Sequence, residues 1–365
     1  MEELLKEFRD DLKEFREMTD KFYAKEVTAK EYKGFSGGFG SYAQKGGKAS
    51  MLRLRLPGGC LDREKLKFIV DSIEDYGIEK VHFTTCQTVQ FHNLSAEAVC
   101  EIMEKAFDVG IITRGGGGDF PRNVMVSPLS GVEEGEYFDV MPYALAVSDA
   151  LLGLIKTVRL PRKLKVCFSN SPANEPHATF RDLGFVARPN GTFDVYSAGG
   201  LGNNPRMGVR VAKQISPSDV LYYVRAMVET FVAHGNYESR AKARTRYMQE
   251  ALGVDGYRRA YLEKLELVKA GEDLTIHVSP CPVKKTPRGE LSFDELKELG
   301  SRVLPQKQKG LYALAYHPIG GVPQASKFAE IYEAVKDMEE VELRLAPDET
   351  IYFINLNGDE VKKVL

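Results

Sequence analysis

The sequence predicts an α+β protein: two copies of a β-α-β-β-α unit, related as a pseudo-twofold pair, with a different, mixed α/β region between them. Three observations carry this. First, shifting the numbering by 262 lays Leu52–Leu94 on Leu314–Leu356 without a gap. Gly58 and Gly59 meet Gly320 and Gly321; Lys65, Asp75, Thr88, Phe91, Asn93 and Leu94 meet Lys327, Asp337, Thr350, Phe353, Asn355 and Leu356. Two copies make a pair, not a solenoid. Second, strand-like and helix-like runs alternate irregularly between the copies, which fits an α/β or α+β layer. Third, 43% of the 365 residues are hydrophobic and 28% charged, so the chain can bury a sizeable core and is not disordered as a whole. That length corresponds to two or three domains.

Taken in order, residues 1–22 read as one helix, because Leu5, Phe8, Leu12, Phe15 and Phe22 recur at three- and four-residue spacings; it is a packing arm. Lys33 to Lys48, with SGGFGSYAQKGGK, is too rich in glycine for a regular element. Residues 51–56 alternate strictly, with Leu52, Leu54 and Leu56 on one face and Met51, Arg53 and Arg55 on the other. Pro57-Gly58-Gly59 ends that strand, Asp62 caps a helix carrying Leu66, Ile69, Val70 and Ile73, and Gly77 stops it. Strands Val81–Phe83 and Val89–Phe91 and a helix from Ala96 to Phe107 complete the unit. The middle region holds strands at Leu164–Phe168, Leu183–Ala187 and Phe193–Ser197, and helices at Tyr143–Thr157, Asp219–His234, Arg240–Leu252 and Tyr257–Lys269.

Composition excludes several classes. Fifty basic and 52 acidic residues leave a net charge of −2, with no global attraction to nucleic acid or to a membrane. The best apolar stretch, Met141–Ile155, is interrupted by Asp149 and falls short of the roughly 18 residues a spanning helix needs. The acidic, helical start is no signal peptide. Five scattered cysteines (Cys60, Cys86, Cys100, Cys167, Cys281) fit a reducing cytoplasmic setting better than a disulfide framework.

The chemistry-bearing residues are mostly basic and lie beside glycine or proline breaks: Arg53, Arg55, Arg114, Arg122-Asn123, and Arg159, Arg162, Lys163 and Lys165. Lys163 and Lys165 face one side of a strand, a placement that suits a small oxyanion or carboxylates. Solvated basic surface is the plainer reading, though cations on buried strands fit it badly. Gly199-Gly200-Leu201-Gly202 lets backbone N–H groups approach a ligand, yet GGLGNNPRMG lacks dinucleotide spacing and also reads as a turn. His82, Cys86 and His92 share strand parity but lack a fourth ligand, so no metal site is expected there. Cys167, between Val166 and Phe168, reads as a buried small apolar residue. No CxxC, HExxH or GxSxG occurs, and no catalytic triad can be assembled.

MLRLRLPGG, then HFTTCQTVQFH, DFPRNVMVSPLSG, LPRKLKVCFSNSPAN, DLGFV and YSAGGLG, in that order, resemble the sirohaem-dependent nitrite and sulfite reductase family over about nine-tenths of the chain. The resemblance implies two ferredoxin-like half domains paired by pseudo-twofold symmetry, plus a mixed α/β sirohaem-reductase domain. The implied boundaries are 1–47 for the N-terminal helix and glycine-rich arm, 48–114 for the first half domain, 115–272 for the reductase domain and 273–365 for the second half domain. That is a whole first module and the small domain of a second.

It further implies six-electron reduction of nitrite to ammonia or sulfite to sulfide at sirohaem, fed by a [4Fe-4S] cluster and an electron donor such as ferredoxin. Family cluster ligands are four cysteines; the matching positions here are Pro121, Ser127, Ser171 and Glu175. The cluster would then belong to a further module or a partner chain, and this chain alone would be inactive. The alternative is a non-catalytic sirohaem- or anion-binding relative, or a scaffold, that works only with a cluster-bearing partner. Substrate-anion roles fall on Arg53, Arg122, Lys163 and Lys165, and sirohaem contacts on Thr84, Cys86, Gln90, Asn123 and Arg162. Cys86 stands where the family typically has arginine, and a neutral thiol cannot pair with a carboxylate.

Overall fold

The computed structural model describes residues 2–365. In chain order the elements are α1 (Glu2–Tyr23), α2 (Ala29–Ser36), β1 (Ser41–Ala43), β2 (Ser50–Leu54), β3 (Cys60–Leu61), α3 (Arg63–Asp75), β4 (Val81–Phe83), β5 (Val89–Leu94) and α4 (Ala96–Asp108). There follow β6 (Met125–Val126), α5 (Met141–Gly153), β7 (Val166–Ser169), β8 (Leu183–Ala187), β9 (Phe193–Ser197), β10 (Val209–Ile215), α6 (Val220–His234) and α7 (Tyr247–Gly271). The chain closes with α8 (Phe293–Leu299), β11 (Val303–Pro305), β12 (Tyr312–Tyr316), α9 (Ser326–Val335), β13 (Glu342–Leu345), β14 (Ile351–Leu356) and α10 (Gly358–Val364). No helix among the described residues is long and apolar enough to cross a membrane.

Two compact units result. The first comprises the described residues of Met1–Gly117, Val132–Gly135 and Pro282–Leu365. It holds the duplicated halves, with sheets of order β1-β2-β5-β4 and β11-β12-β14-β13-β3. The halves exchange edges: β3 of the first pairs antiparallel with β13 of the second, Leu61 opposite Leu343 and Cys60 opposite Arg344. Lys80 and Gln324 form an antiparallel bridge that the 262-residue offset carries onto Glu342 and Asp62, the next position in the β3–β13 register. The internal symmetry reaches side chains. Gln44 Nε2 donates to Asn93 Oδ1 at 3.1 Å, and Gln306 Nε2 donates to Asn355 Oδ1 at 3.0 Å. Leu52, Leu54, Phe83 and Phe91 share one continuous core with Leu314, Leu343, Phe353 and Phe328. The strict alternation of residues 51–56 is what delivers the leucines to it.

Gly59 sits where the two halves touch. Its φ is +73°, and a Cβ there would stand 2.5 Å from the Leu345 carbonyl oxygen. Gly59→Ala therefore meets both a left-handed backbone penalty and a clash with main chain. A loss of roughly 1–3 kcal/mol is expected in chemical denaturation.

The second unit, Gly118–Gly131 with Glu136–Cys281, has one sheet of order β10-β9-β8-β7-β6. β6, β7 and β8 run parallel; β8, β9 and β10 run antiparallel. Phe168 and Phe185 stack at 4.6 Å in its core, and Phe193 meets both edge-on.

Some expectations are corrected. The Lys33–Lys48 segment is not irregular throughout: the end of α2 enters it, and β1 lies within it and pairs with β2. Thr28 caps α2 in a capping box with Glu31, which supplies the start signal that the downstream glycines obscured. Arg240–Leu252 is not one helix. Residues 240–242 form a single 3-10 turn, and α7 begins at Tyr247 and continues through a kink at Gly253, whose φ is +71°. The middle helix starts at Met141 and ends at Gly153 rather than spanning Tyr143–Thr157. Arg55 does not share the setting of Met51 and Arg53, for it is 3% exposed.

Candidate functional site

In the first unit the predicted residues gather around β2 and the β4–β5 hairpin. Arg53 lies opposite Gln90 in the β2–β5 register, and His82 lies opposite Gln90 on the other side. With its amide oxygen turned to the guanidinium, Gln90 accepts from Arg53 Nε at 3.0 Å and Nη2 at 2.5 Å. Arg53 Nη1 donates to the Gly116 carbonyl at 2.5 Å. Glycines make this possible: a Cβ on Gly40 would stand 2.7 Å from the Thr113 carbonyl and one on Gly116 2.8 Å from it. Main chain thus packs directly against the arginine. Burial pulls the Arg53 guanidinium below its ordinary value, against the opposing influence of Cys86 and Tyr42, and it remains a cation. Thr84 and Thr88 share a hydroxyl hydrogen bond of 2.7 Å across the hairpin turn, and the Cys86 N–H donates to Thr84 Oγ1 at 3.3 Å. Arg53, Thr84, Cys86 and Gln90 are therefore one neighbourhood.

The duplicate half does not repeat it. The offset puts Ala315 for Arg53, Ala346 for Thr84, Asp348 for Cys86 and Tyr352 for Gln90. The fold is duplicated; the polar set is not.

In the second unit, Arg122, Asn123, Arg162, Lys163 and Lys165 are brought together by a short parallel pairing. Pro121 bridges Leu164, Arg122 N donates to the Leu164 carbonyl at 2.8 Å, and Leu164 N donates to the Phe120 carbonyl at 3.2 Å. Leu164 is fully buried, so Lys163 and Lys165 on either side of it face the opposite way. Neither ammonium has a hydrogen bond or ion pair to a described residue, although both lysines are half-buried. Arg162 Nη1 instead meets Asp119 at 2.8 Å, and Arg240 meets the same carboxylate at 2.7 Å. Burial alone would raise Asp119; the two arginines outweigh it and hold the carboxyl below the usual range. Arg122 Nη2 donates to the Gly118 carbonyl at 2.8 Å.

Asp182, 1% exposed, anchors the cluster. It accepts from Lys165 N at 2.8 Å, from Arg244 Nη2 at 3.0 Å and from the Thr245 hydroxyl. Sequence reasoning did not single out Asp119, Asp182, Arg240 or Arg244. A signal existed: Arg240, Lys242, Arg244 and Arg246 recur every second residue, a period that an α-helix does not present on one face.

Lys163 is pulled down to about 8, by burial first and then by Lys165, Arg122, Arg244 and Arg162. The consequence for pH has two signs. Between about pH 8 and the ordinary lysine value of 10.5, the unfolded chain holds a proton the folded chain has released, so this group makes stability rise with pH across that window. Anion affinity moves the other way, falling as pH passes 8 and the charge is lost. Titration of anion binding from pH 6 to 10 should show that fall, and Lys163→Met should flatten it.

Two ammonium groups without a carboxylate of their own among the described residues suit an oxyanion: neighbouring arginine cations set the field, and an ammonium near its titration point can also give up a proton.

Comparison with known proteins follows this pattern. Residues 117–269 match the family described as nitrite and sulphite reductase 4Fe-4S domain. Residues 42–106 match the nitrite/sulfite reductase ferredoxin-like half domain. The chain is 26% identical over 333 residues to a ferredoxin–nitrite reductase of Synechococcus elongatus, covering 86% of this chain and 60% of the relative. It is 26% identical to the chloroplastic ferredoxin–nitrite reductase of Spinacia oleracea, with 86% and 52% covered. It is 25% identical to a ferredoxin-type sulfite reductase of Mycobacterium tuberculosis, with 85% and 53% covered. It therefore spans between about half and three-fifths of these relatives' length. The solved structure of the Mycobacterium tuberculosis NirA protein superposes with a TM-score of 0.75 at 22% identity, covering 98% of this chain and 68% of that one, and so shares its fold.

Proposed function

Because this chain belongs to the nitrite and sulfite reductase family, we propose that it is the oxyanion-holding portion of a sirohaem oxidoreductase that reduces nitrite or sulfite. Arg53, Arg122, Lys163 and Lys165 hold the anion. The observation that carries this reading is the pair of half-buried ammonium groups, Lys163 and Lys165, crowded by Arg122, Arg162 and Arg244 and with no carboxylate of their own among the described residues. Such a cluster is costly unless an anion completes it.

Those same cations fit sirohaem, whose periphery carries eight carboxylates. Thr84, Cys86, Gln90, Asn123 and Arg162 are the positions we propose for its contacts, with Cys86 contributing a neutral thiol that cannot pair with a carboxylate. When bound, sirohaem would pass to the anion the electrons that an external donor and a cluster provide. The chain's own residues do the rest. The arginines keep the anion oriented as its charge grows, and Lys163, poised at about 8, gives an Nζ proton to an anion oxygen near neutral pH. Lys165, with its own N–H fixed on Asp182, keeps a second positive charge beside it.

A cysteine-ligated cluster does not fit. Cys167 is the one cysteine in residues 117–269, and it is wholly buried within β7. Ser127, at a matching position, receives the Asn170 N–H on its hydroxyl oxygen, and Ser171 is 4% exposed. We therefore assign the cluster, and contact with a donor such as ferredoxin, to polypeptide outside this sequence. The same observation favours a second reading, a sirohaem- or anion-binding partner without turnover of its own.

A visible spectrum with iron and acid-labile sulfide analysis, on the chain loaded with sirohaem, separates these. Sirohaem absorbance without labile sulfide, and turnover only when a cluster-bearing partner is added, is the expected result. Sirohaem binding with no turnover alongside any such partner supports the second reading. No sirohaem uptake at all removes the first reading and leaves only the anion-binding form of the second.

A further inference from the structure

The glycine-rich loop Gly199–Gly208 of the second unit takes no part in that chemistry, yet it carries a charge arrangement of its own. Gly200 and Arg206 form an antiparallel bridge closed by both backbone hydrogen bonds, at 3.0 and 2.9 Å. Residues opposed in such a pair project from the same face. On the face to which Gly200 would project lies the guanidinium of Arg246. A Cβ on Gly200 would stand 3.3 Å from its Nη1, and one on Gly202 3.4 Å from its Nη2. Only the missing side chains leave those nitrogens open.

Arg246 is 6% exposed. Its guanidinium carbon lies 4.9 Å from the Tyr247 ring centre, but it has no hydrogen bond or ion pair to any described residue. Nε of Arg206 is likewise buried with no acceptor among the described residues. The nearby carboxylates are engaged elsewhere: Asp182 by Arg244 and Thr245, and Glu250 by Lys242 at 3.2 Å and Asn204 at 3.5 Å. Two guanidinium groups thus share one face of a loop with no counter-charge, one of them largely removed from water. Desolvated cations of this kind are stable when an anion accepts their N–H groups.

We propose that the Gly199–Gly208 loop, with Arg206 and Arg246, binds a tetrahedral dianion of the phosphate class at a site separate from Lys163 and Lys165. Two positive charges call for a dianion. Two planar forks arriving from different segments, the loop and the residue before α7, use more oxygens than the two a carboxylate offers. The cations that act most strongly on Lys163 are Lys165, Arg122, Arg244 and Arg162, and neither Arg206 nor Arg246 is among them.

The test is calorimetric titration of the full chain with inorganic phosphate, against chloride at matched ionic strength. Saturable phosphate binding is expected, with a component that persists in Lys163→Gln, and the comparisons below concern that component. Arg246→Gln and Arg206→Gln should each weaken it by about tenfold or more, the worth of one charge-assisted fork. Gly200→Ala keeps both charges and an ordinary backbone but fills the opening, and should weaken it too. Lys163→Gln should leave it unchanged. Arg206 and Gly200 keep the test decisive should Arg246→Gln fail to fold. No saturable phosphate binding, binding unaltered by Arg206→Gln and Gly200→Ala, or binding abolished by Lys163→Gln, each overturns the proposal.

Discussion

If the proposed function holds, replacing Lys163 with methionine in an assembly with a cluster-bearing partner is expected to lower turnover by about two to four orders of magnitude, the range for loss of a positioned proton donor. The substitution keeps length and burial, so packing changes little. What disappears is a cation that burial and four positive neighbours have brought to about 8. Lys163→Arg separates the two roles of the residue. It restores charge but not a group that titrates near neutrality, so anion binding should recover while turnover stays low. Steady-state kinetics report this as a recovered KM with a depressed kcat. Equal turnover in wild type, Lys163→Met and Lys165→Met would remove both lysines from the chemistry.

Asp182→Ala is expected to have the largest effect on stability, a loss of about 3–5 kcal/mol, because it strips the counter-charge from a buried ion pair and strands the donors around it. The carboxylate receives the Lys165 N–H, Arg244 and the Thr245 hydroxyl at once, so the start of the lysine-bearing strand and the segment before α7 are tied through it. Asp182→Asn keeps an acceptor and loses the charge. It should fold more stably than Asp182→Ala, yet still leave Arg244 without its anion. Denaturant titration of the two variants gives the comparison. An Asp182→Ala protein as stable as the wild type would mean that the cluster is not organised through this residue.

How much of this was legible in the sequence differs between elements, for physical reasons. The duplicated unit was legible because period-2 leucines and paired glycines are local signals that survive divergence, as with Leu52, Leu54 and Gly59 against Leu314, Tyr316 and Gly321. β10 was missed because its alternation is broken by register shifts between Arg210 and Ala212 and between Ala212 and Ile215. The segment before α7 was misread because its apolar residues allow a helix, whereas its basic residues, spaced by two, reach Asp119 and Asp182 far away in sequence. Arg53, Lys163 and Lys165 stood out because a cation on a buried strand needs a reason. Asp119 and Asp182 did not, because a carboxylate is informative only once its partners are known. The resemblance named the residues; the charge imbalance at Lys163 and Lys165 emerges only when their neighbours are placed.

The most direct measurement is the titration of the Lys163 ammonium itself, followed by nitrogen-15 NMR on the chain with and without nitrite or sulfite. The account predicts a midpoint near 8 in the free protein, moving upward when the anion binds, because the anion stabilises the charged form. A lysine that titrates at its ordinary value and does not respond to either anion would contradict the account at its base.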